Sequence, residues 1–311
     1  MKNRKLFHFF KLSLLVVISA IVLSGCDERY IVLKPQGPVA QQEYDLIVLS
    51  TILCAIVIIP VLAIFIYIVY RYRDKPGNKA PYTPNWDDSK ILEIVWWGIP
   101  ILIIGILGFY TAKTTYALQK PTSNVKPITI QVTSLDWKWL FQYPDQNIAT
   151  VNYAEIPAGV PVQFVLTSSS NMNSFWVPQL GGQMYTMPGM AMKLWLQADK
   201  TGTYFGSGAN FTGEGFAHMQ FQVVAKSQSE FNVWAKKVKQ TAPALTKDGY
   251  NKLAEKGLAD KMDYSSYPSN LFNEIIDANG GKYMKHNMQE DMQEDMQDMN
   301  HADMSGMKMD K

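Results

Sequence analysis

Apolar residues are concentrated in two long runs in the first third of the chain. Positions 46–70 carry no charged residue, and positions 91–110 carry one, Glu93, near their start. A helix needs about 20 residues to cross the hydrocarbon core of a bilayer. The pattern therefore predicts a transmembrane helical hairpin over residues 46–110, with spans at about 46–70 and 91–110.

A shorter apolar run lies nearer the start and has the features of a processing signal. Basic residues at positions 2, 4 and 5 precede an apolar core that ends in Leu23-Ser24-Gly25-Cys26. Residues 1–25 are predicted to be a signal peptide. The ending resembles the bacterial lipoprotein signal, in which Cys26 becomes the lipidated first residue; the alternative is an ordinary signal anchor with an incidental cysteine. Asp27 resembles the residue that retains lipoproteins of Gram-negative bacteria in the inner membrane.

The charges between the two long runs predict the orientation of the hairpin. The loop carries five basic residues, Arg71, Arg73, Lys75, Lys79 and Lys90, against three aspartates. Such an excess of positive charge marks a cytoplasmic loop. A lipid on Cys26 also requires an outside N-terminus. The chain is therefore predicted to be a multi-pass, lipid-anchored protein of a bacterial inner membrane, with a periplasmic segment at 26–45 and a periplasmic soluble domain after the hairpin.

Beyond the hairpin the hydrophobic period changes from helical to two. Ile128, Ile130 and Val132 alternate with polar residues, and the stretch 160–166 repeats the pattern. Further strands are predicted at 190–198 and 216–225, separated by glycine and proline clusters. This spacing is typical of a small Greek-key β-sandwich. We predict an α+β membrane protein whose sandwich domain spans residues 120–226.

The sequence after the sandwich divides into an extension and a tail. Ser227 and Glu230 form a capping-box pattern, which begins a predicted helix in a helical, aromatic-rich extension over residues 227–283. Residues 284–311 repeat methionine among acidic residues and are predicted to be disordered. Because thioethers suit monovalent copper, copper capture by this tail stays an alternative.

Composition removes several classes of function. A formal net charge of +2 over 311 residues gives no electrostatic case for binding nucleic acid. The two cysteines, Cys26 and Cys54, both precede the soluble domain. The domain can therefore contain neither a disulfide nor a thiolate metal site.

With these elements in order, the chain resembles subunit II of the haem-copper oxidases. The resemblance rests on the lipoprotein signal, the helical hairpin and a cupredoxin-like domain that opens with Leu135-Asp136-Trp137-Lys138-Trp139-Leu140-Phe141. Members that accept electrons from cytochrome c hold two coppers with cysteine, histidine and methionine ligands, a soft donor set suited to copper electron transfer.

The positions that match the copper ligands carry other residues in this chain. The family's first histidine falls on Asn173, within Asn173-Ser174-Phe175-Trp176-Val177-Pro178. The slots in the second loop fall on Gly208, Asn210, Thr212 and Phe216, and Met219 alone is retained. No metal site is therefore expected in this chain, and no catalytic residue either.

Loss of these ligands implies the quinol-oxidising branch of the family. The aromatic-rich stretch 245–276 resembles the extension of cytochrome bo-type ubiquinol oxidase subunit II, which is therefore the subgroup that the chain resembles most. The implied role is a non-redox subunit of a proton-pumping ubiquinol oxidase, which oxidises ubiquinol and reduces oxygen to water. The implied partners are the haem-copper core subunit I, smaller membrane subunits and membrane lipid through Cys26. Haems and copper are expected in the core subunit, and ubiquinol is expected to reach the complex through the membrane.

The resemblance also gives a candidate role to Glu93. In the family, a glutamate in this context lies at a proton entrance into the core subunit, and Leu92-Glu93-Ile94-Val95-Trp96 matches that context. An ionisable group within a membrane span is costly and often functional. The alternative is that Glu93 only stabilises the positive end of its helix.

One other function stays open, and a further one is contradicted by the missing copper ligands. A free-standing periplasmic lipoprotein for copper handling or sensing would use the methionine-rich tail and would purify alone. Subunit II of a cytochrome c oxidase would need the copper ligands that this sequence lacks.

Overall fold

The computed structural model describes residues 30–121 and 125–281. The predicted signal peptide with Cys26 and the predicted disordered tail at 284–311 lie outside the described residues.

Two long helices form the first part of the fold. Helix α1 (Pro38–Arg71) and helix α2 (Lys90–Leu118) are both long and apolar enough to cross a membrane. Each contains an internal proline, Pro60 or Pro100, which a membrane helix tolerates where neighbouring groups satisfy the freed carbonyl. In the chain by itself most of their apolar side chains are exposed. These faces are therefore available to lipid or to another membrane protein.

Helix α1 begins eight residues before the predicted span because its first turns pack on the soluble domain. Pro38 occupies the first helical position, where its missing N–H costs nothing. The Ala40 amide donates to the Leu180 carbonyl at 3.2 Å, and the Glu43 carboxylate accepts from the Gly182 amide at 2.9 Å. The segment 38–45, which lies in the predicted periplasmic segment 26–45, is thus a helical link to the sandwich.

The soluble domain is the predicted sandwich of two sheets. The strands are β1 (Ile128–Leu135), β2 (Lys138–Tyr143), β3 (Ile148–Val151), β4 (Tyr153–Pro157), β5 (Val162–Ser168), β6 (Asn173–Trp176), β7 (Met184–Thr186), β8 (Met192–Leu196), β9 (Gly202–Gly208), β10 (Gln220–Lys226) and β11 (Met262–Tyr264). One sheet has the order β11-β3-β2-β1-β5-β8 and the other has the order β4-β10-β9-β6-β7.

Aromatic side chains from both sheets fill the core. Trp139 and Phe141 lie two residues apart on β2 and point to the same face. They contact Phe175 of β6 and Phe221 of β10 across the sandwich, with ring centroids 5.4 to 6.2 Å apart. Phe175 and Phe221 stack at 4.8 Å. Burial of these rings supplies much of the hydrophobic stabilisation of the domain.

Strand β2 does not show the alternation of apolar and polar residues that predicted β1 and β5, and all six of its residues are buried. Its inner face contacts the aromatic core. Its outer face is covered by the C-terminal extension, where Leu140 packs with Leu253 and Leu271. A strand buried on both faces carries no period of two.

Up to residue 281, where the described part of the chain ends, the C-terminal extension has three α-helices and a strand. They are α3 (Gln228–Thr241), α4 (Lys247–Ala254), β11 and α5 (Leu271–Ile276). The predicted capping box is present at the start of α3, with both reciprocal contacts between Ser227 and Glu230. The strand predicted at 216–225 is a short 3-10 helix (Phe216–His218) followed by β10. Because β11 pairs with β3, the six-stranded sheet also includes a strand of the extension.

Candidate functional site

Three of the matched copper-ligand positions converge at one end of the five-stranded sheet. Asn173 begins β6, Gly208 ends β9, and Met219 directly precedes β10. Strand β9 pairs with both β6 and β10, so the ends of these strands are neighbours. The Gly208 amide also donates to the Met219 carbonyl at 3.0 Å.

The side chains of Asn173 and Met219 contact each other within this cluster. Both residues are 1% exposed. The Asn173 Nδ2 group donates to Met219 Sδ at 2.9 Å and to Ser134 Oγ at 3.4 Å, while Asn173 Oδ1 accepts from the Ser174 amide at 2.8 Å. The polar atoms of Asn173 are thus satisfied within the protein, as buried amides require.

Gly208 leaves little room beside this pair. A Cβ atom at position 208 would lie 3.0 Å from Asn173 Oδ1 and 3.2 Å from Nδ2. A larger side chain at position 208 would therefore require Asn173 to move. The amide, the thioether and the close glycine backbone together form a packed cluster, which we call the Asn173–Met219 cluster.

The other three matched positions lie between β9 and β10. The Thr212 carbonyl accepts a hydrogen bond from Trp137 Nε1 at 3.1 Å, and Phe216 packs edge to face on Phe211 with ring centroids 5.7 Å apart. Asn210 is half-buried in the same loop. The contacts of Thr212 and Phe216 thus both involve aromatic side chains.

The donor set does not fit a two-copper centre. A copper pair for electron transfer requires thiolate and imidazole ligands, whereas this cluster offers an amide and a thioether. Within the ranges 30–121 and 125–281, no three His, Cys, Asp or Glu side chains are grouped closely enough to hold a metal ion.

Sequence reasoning missed a contact between the extension and the aromatic loop beside this cluster. The Gly257 amide donates to the Asp136 carbonyl at 2.9 Å, and the Trp137 amide donates to the Gly257 carbonyl at 3.1 Å. Lys256 Nζ lies 4.9 Å from the centre of the Trp137 ring, within the range of a cation–π contact. Segment 253–259, which we call the strap, therefore covers the loop that carries Trp137.

Lys138, the first residue of β2, joins the strap to the sandwich through side-chain hydrogen bonds. Its side chain is 4% exposed, and Nζ donates to the carbonyls of Leu253 at 2.9 Å and Glu255 at 2.6 Å. Burial lowers the pKa of Lys138, and the nearby carboxylates of Asp136 and Glu255 oppose that change. The signal available in the sequence was a lysine between two tryptophans, Trp137 and Trp139, because a lysine buried beside such side chains requires acceptors.

Glu93 lies in the first turn of α2 beside a cavity of about 190 Å³. Its backbone amide donates to the carbonyl of Ser89, the N-cap residue, at 3.0 Å. Asp87 and Asp88 line the same cavity. These two acidic neighbours could not be assigned to Glu93 from the sequence, because only the fold of the loop brings them to one cavity.

Comparison with known proteins identifies the family. Residues 148–227 match the family described as Cytochrome C oxidase subunit II, periplasmic domain. Quinol oxidase subunit 2 of Bacillus anthracis is 49% identical over 263 residues, which are 83% of this chain and 90% of the relative. The corresponding protein of Bacillus subtilis (strain 168) is 45% identical over 259 residues, covering 82% and 80%. Cytochrome bo(3) ubiquinol oxidase subunit 2 of Pseudomonas aeruginosa is 40% identical over 289 residues, covering 89% and 86%.

These matches and the fold define the class: an oxidase subunit II, with two long apolar helices before a cupredoxin-like sandwich. Within that class the chain belongs to the quinol oxidase subunit 2 family. Among solved structures, the periplasmic domain of subunit II of cytochrome oxidase of Bradyrhizobium japonicum is 22% identical. It covers 38% of this chain and 94% of its own, with a TM-score of 0.35.

Proposed function

We propose that this chain is the copper-free, non-redox subunit II of a respiratory ubiquinol oxidase that pumps protons, oxidises ubiquinol and reduces oxygen to water. The single observation that carries the copper-free part is the Asn173–Met219 cluster, in which an amide, a thioether and a close glycine stand at ligand positions. Ubiquinol as the donor is supported by the similarity to the Pseudomonas aeruginosa relative, a ubiquinol oxidase subunit 2. Haem and copper chemistry belongs to the partner core subunit.

A copper-free subunit suits a quinol donor because quinol is soluble in lipid. Such a donor can reach the core subunit within the membrane, so no electron carrier needs to dock on the soluble domain. The strap supports the absence of a docking site for an electron carrier, because it covers the loop that carries Trp137 beside the Asn173–Met219 cluster. In this arrangement the cluster holds the strand ends together without ligand chemistry.

The structural role of the chain is to support the core subunit and the smaller membrane subunits. The exposed apolar faces of α1 and α2 provide a surface for helix packing in the bilayer. The first turns of α1 pack against the sandwich, so the soluble domain is fixed directly to the membrane helices. Lipidation of Cys26 would add an anchor on the periplasmic side of the inner membrane.

Glu93 is proposed to act at a proton entrance on the cytoplasmic side. The support is its position near the start of the second apolar run, together with the cavity that it shares with Asp87 and Asp88. Three neighbouring carboxyl groups can exchange protons with water and with one another. In this role Glu93 receives protons at the surface and passes them towards the core subunit.

Replacement of Glu93 by glutamine tests this role in the assembled complex. Glu93→Gln retains the size of the side chain but removes its titrating group, so turnover and proton uptake are expected to fall together. The matched control is Glu214→Gln, which changes an exposed acid of the soluble domain. If Glu93→Gln left both turnover and proton uptake unchanged, the role would be wrong and Glu93 would serve only its helix start.

Purification through a tag at Lys311 tests the function as a whole. Mild solubilisation is expected to recover the chain with haem and with ubiquinol-dependent oxygen consumption. Parallel assays with menaquinol determine the donor, and higher turnover with menaquinol would contradict the ubiquinol part alone. Recovery of the chain by itself, without haem and with bound copper, would instead support a copper-handling lipoprotein.

A further inference from the structure

The loop between the two membrane helices folds around a cavity of about 360 Å³ that is lined by four cations. Arg71, Arg73, Lys75 and Lys79 all line it. Among the described residues, none that lines this cavity is acidic. Tyr70, the last residue of the predicted first span, also lines the cavity, which therefore lies at the level of lipid headgroups.

The loop owes its shape to a turn and to one asparagine side chain. Gly77 has a φ of 79° and follows Pro76, and the Asn78 amide donates to the Lys75 carbonyl at 3.0 Å. These features are those of a type II turn, in which glycine takes the left-handed position. Lys75 and Lys79 are thereby placed on either side of the turn.

Asn78 then ties the turn to the end of α1. Its Nδ2 group donates to the carbonyls of Arg71 at 3.2 Å and Arg73 at 2.8 Å, while Oδ1 accepts from Arg71 Nη1 at 3.3 Å and from the Ala80 amide at 3.0 Å. Arg71 Nη2 donates to the Lys79 carbonyl at 3.3 Å. The cations therefore surround a folded cradle of backbone that Asn78 maintains.

We propose that this cradle binds the headgroup of one anionic phospholipid on the cytoplasmic side of the membrane. The lining residues provide no negative charge to balance the four cations, and the phosphate of a lipid headgroup would supply it. Arginine is well suited to bind phosphate oxygens through paired N–H groups. Basic pockets at the cytoplasmic ends of membrane helices bind anionic lipid headgroups in this manner. The cytoplasmic placement rests on the proposed function; the cavity itself does not.

Charge removal is the first test, carried out on the assembled complex in mild detergent. Native mass spectrometry counts the phosphatidylglycerol molecules bound during a titration, with phosphatidylcholine as the neutral comparison. The variant Arg73→Gln/Lys75→Gln/Lys79→Gln retains Arg71, which contacts Asn78. Each lost cation is expected to weaken binding about fivefold, so the triple variant should bind one phosphatidylglycerol roughly a hundredfold more weakly.

Matched variants separate the cradle from diffuse attraction. Lys236→Gln/Lys237→Gln/Lys252→Gln removes the same charge from exposed helices of the extension and should bind phosphatidylglycerol as the unchanged complex does. Asn78→Ala leaves the net charge unchanged but removes the support of the cradle, and it should weaken binding roughly tenfold because the cations are no longer preorganised.

Three outcomes would overturn the proposal. Unchanged lipid binding in the Arg73/Lys75/Lys79 variant would exclude these cations. Normal lipid binding in Asn78→Ala would mean that the cations attract lipid diffusely, without a preorganised site. If the complex bound inorganic phosphate but not phosphatidylglycerol, the ligand of the cavity would be a free anion and not a lipid. The haem content of each preparation is measured separately, so a failure of the oxidase assignment can be distinguished from a failure of the lipid site.

Discussion

Replacement of Lys138 by methionine should loosen the strap from the sandwich. Methionine retains a long apolar side chain in the buried site but provides no donor for the Leu253 and Glu255 carbonyls. A buried acceptor that loses its partner costs roughly 1–3 kcal/mol. Relief of the burial cost of the ammonium group offsets part of this loss, because burial already lowers the pKa of Lys138. We expect a net destabilisation of the strap of about 2 kcal/mol.

Hydrogen exchange in the assembled complex measures this loss locally. A change of about 2 kcal/mol raises the open population by roughly 30-fold, and exchange of protected amides rises in proportion. The Gly257 amide reports directly, because it donates to the Asp136 carbonyl in the closed strap. Lys256→Met is the matched control, since it removes only a surface cation–π contact worth roughly 0.5–1 kcal/mol. If Lys138→Met exchanged no faster than this control, the buried hydrogen bonds would not hold the strap.

Further predictions concern the contact of Gly215 with Trp137 and a half-buried phenol of the extension. Gly215→Ala places a Cβ 2.2 Å from the Trp137 ring, whereas Gly202→Ala meets its neighbour at 3.6 Å; the first should destabilise the domain by roughly 3 kcal/mol and the second should not. Equal unfolding midpoints by tryptophan fluorescence would contradict this packing. Burial, aided by the Asp145 carboxylate, raises the pKa of Tyr267 to about 12. Because the fold favours the neutral phenol, its stabilisation is full below about pH 10 and is lost as the pH rises towards 12. Tyr267→Phe should therefore lose less stability between about pH 9 and 11 than the unchanged protein, and an equal loss would refute the assignment.

Local sequence patterns were sufficient for the elements whose signals are local. The two apolar runs predicted both long helices, and the Ser227–Glu230 pair predicted the start of α3. They could not predict that α1 begins at Pro38, because that start depends on contacts with Leu180 and Gly182, far along the chain. The alternating pattern did not reveal strand β2 for a related reason. The extension covers the outer face of β2, so both of its faces are buried and its sequence has no period of two.

The sequence names the residues of the candidate site but does not give their geometry. Resemblance to the family placed Asn173, Gly208 and Met219 at matched positions, and strand pairing brings these three together. The hydrogen bond from Asn173 to Met219 could not be predicted, because it depends on side-chain packing between distant strands. The acidic cavity around Glu93 was missed for the same reason, since the fold of the loop at Asp87 and Asp88 decides it.

Oxygen consumption by the purified complex, measured with ubiquinol and with reduced cytochrome c as donors, tests whether subunit II is copper-free. A copper-free subunit II predicts rapid oxygen uptake with ubiquinol, none above background with cytochrome c, and no copper in this chain after its separation from the core subunit. Oxygen uptake driven by cytochrome c, with two coppers retained by this chain, would show instead that the chain is a copper-containing electron acceptor.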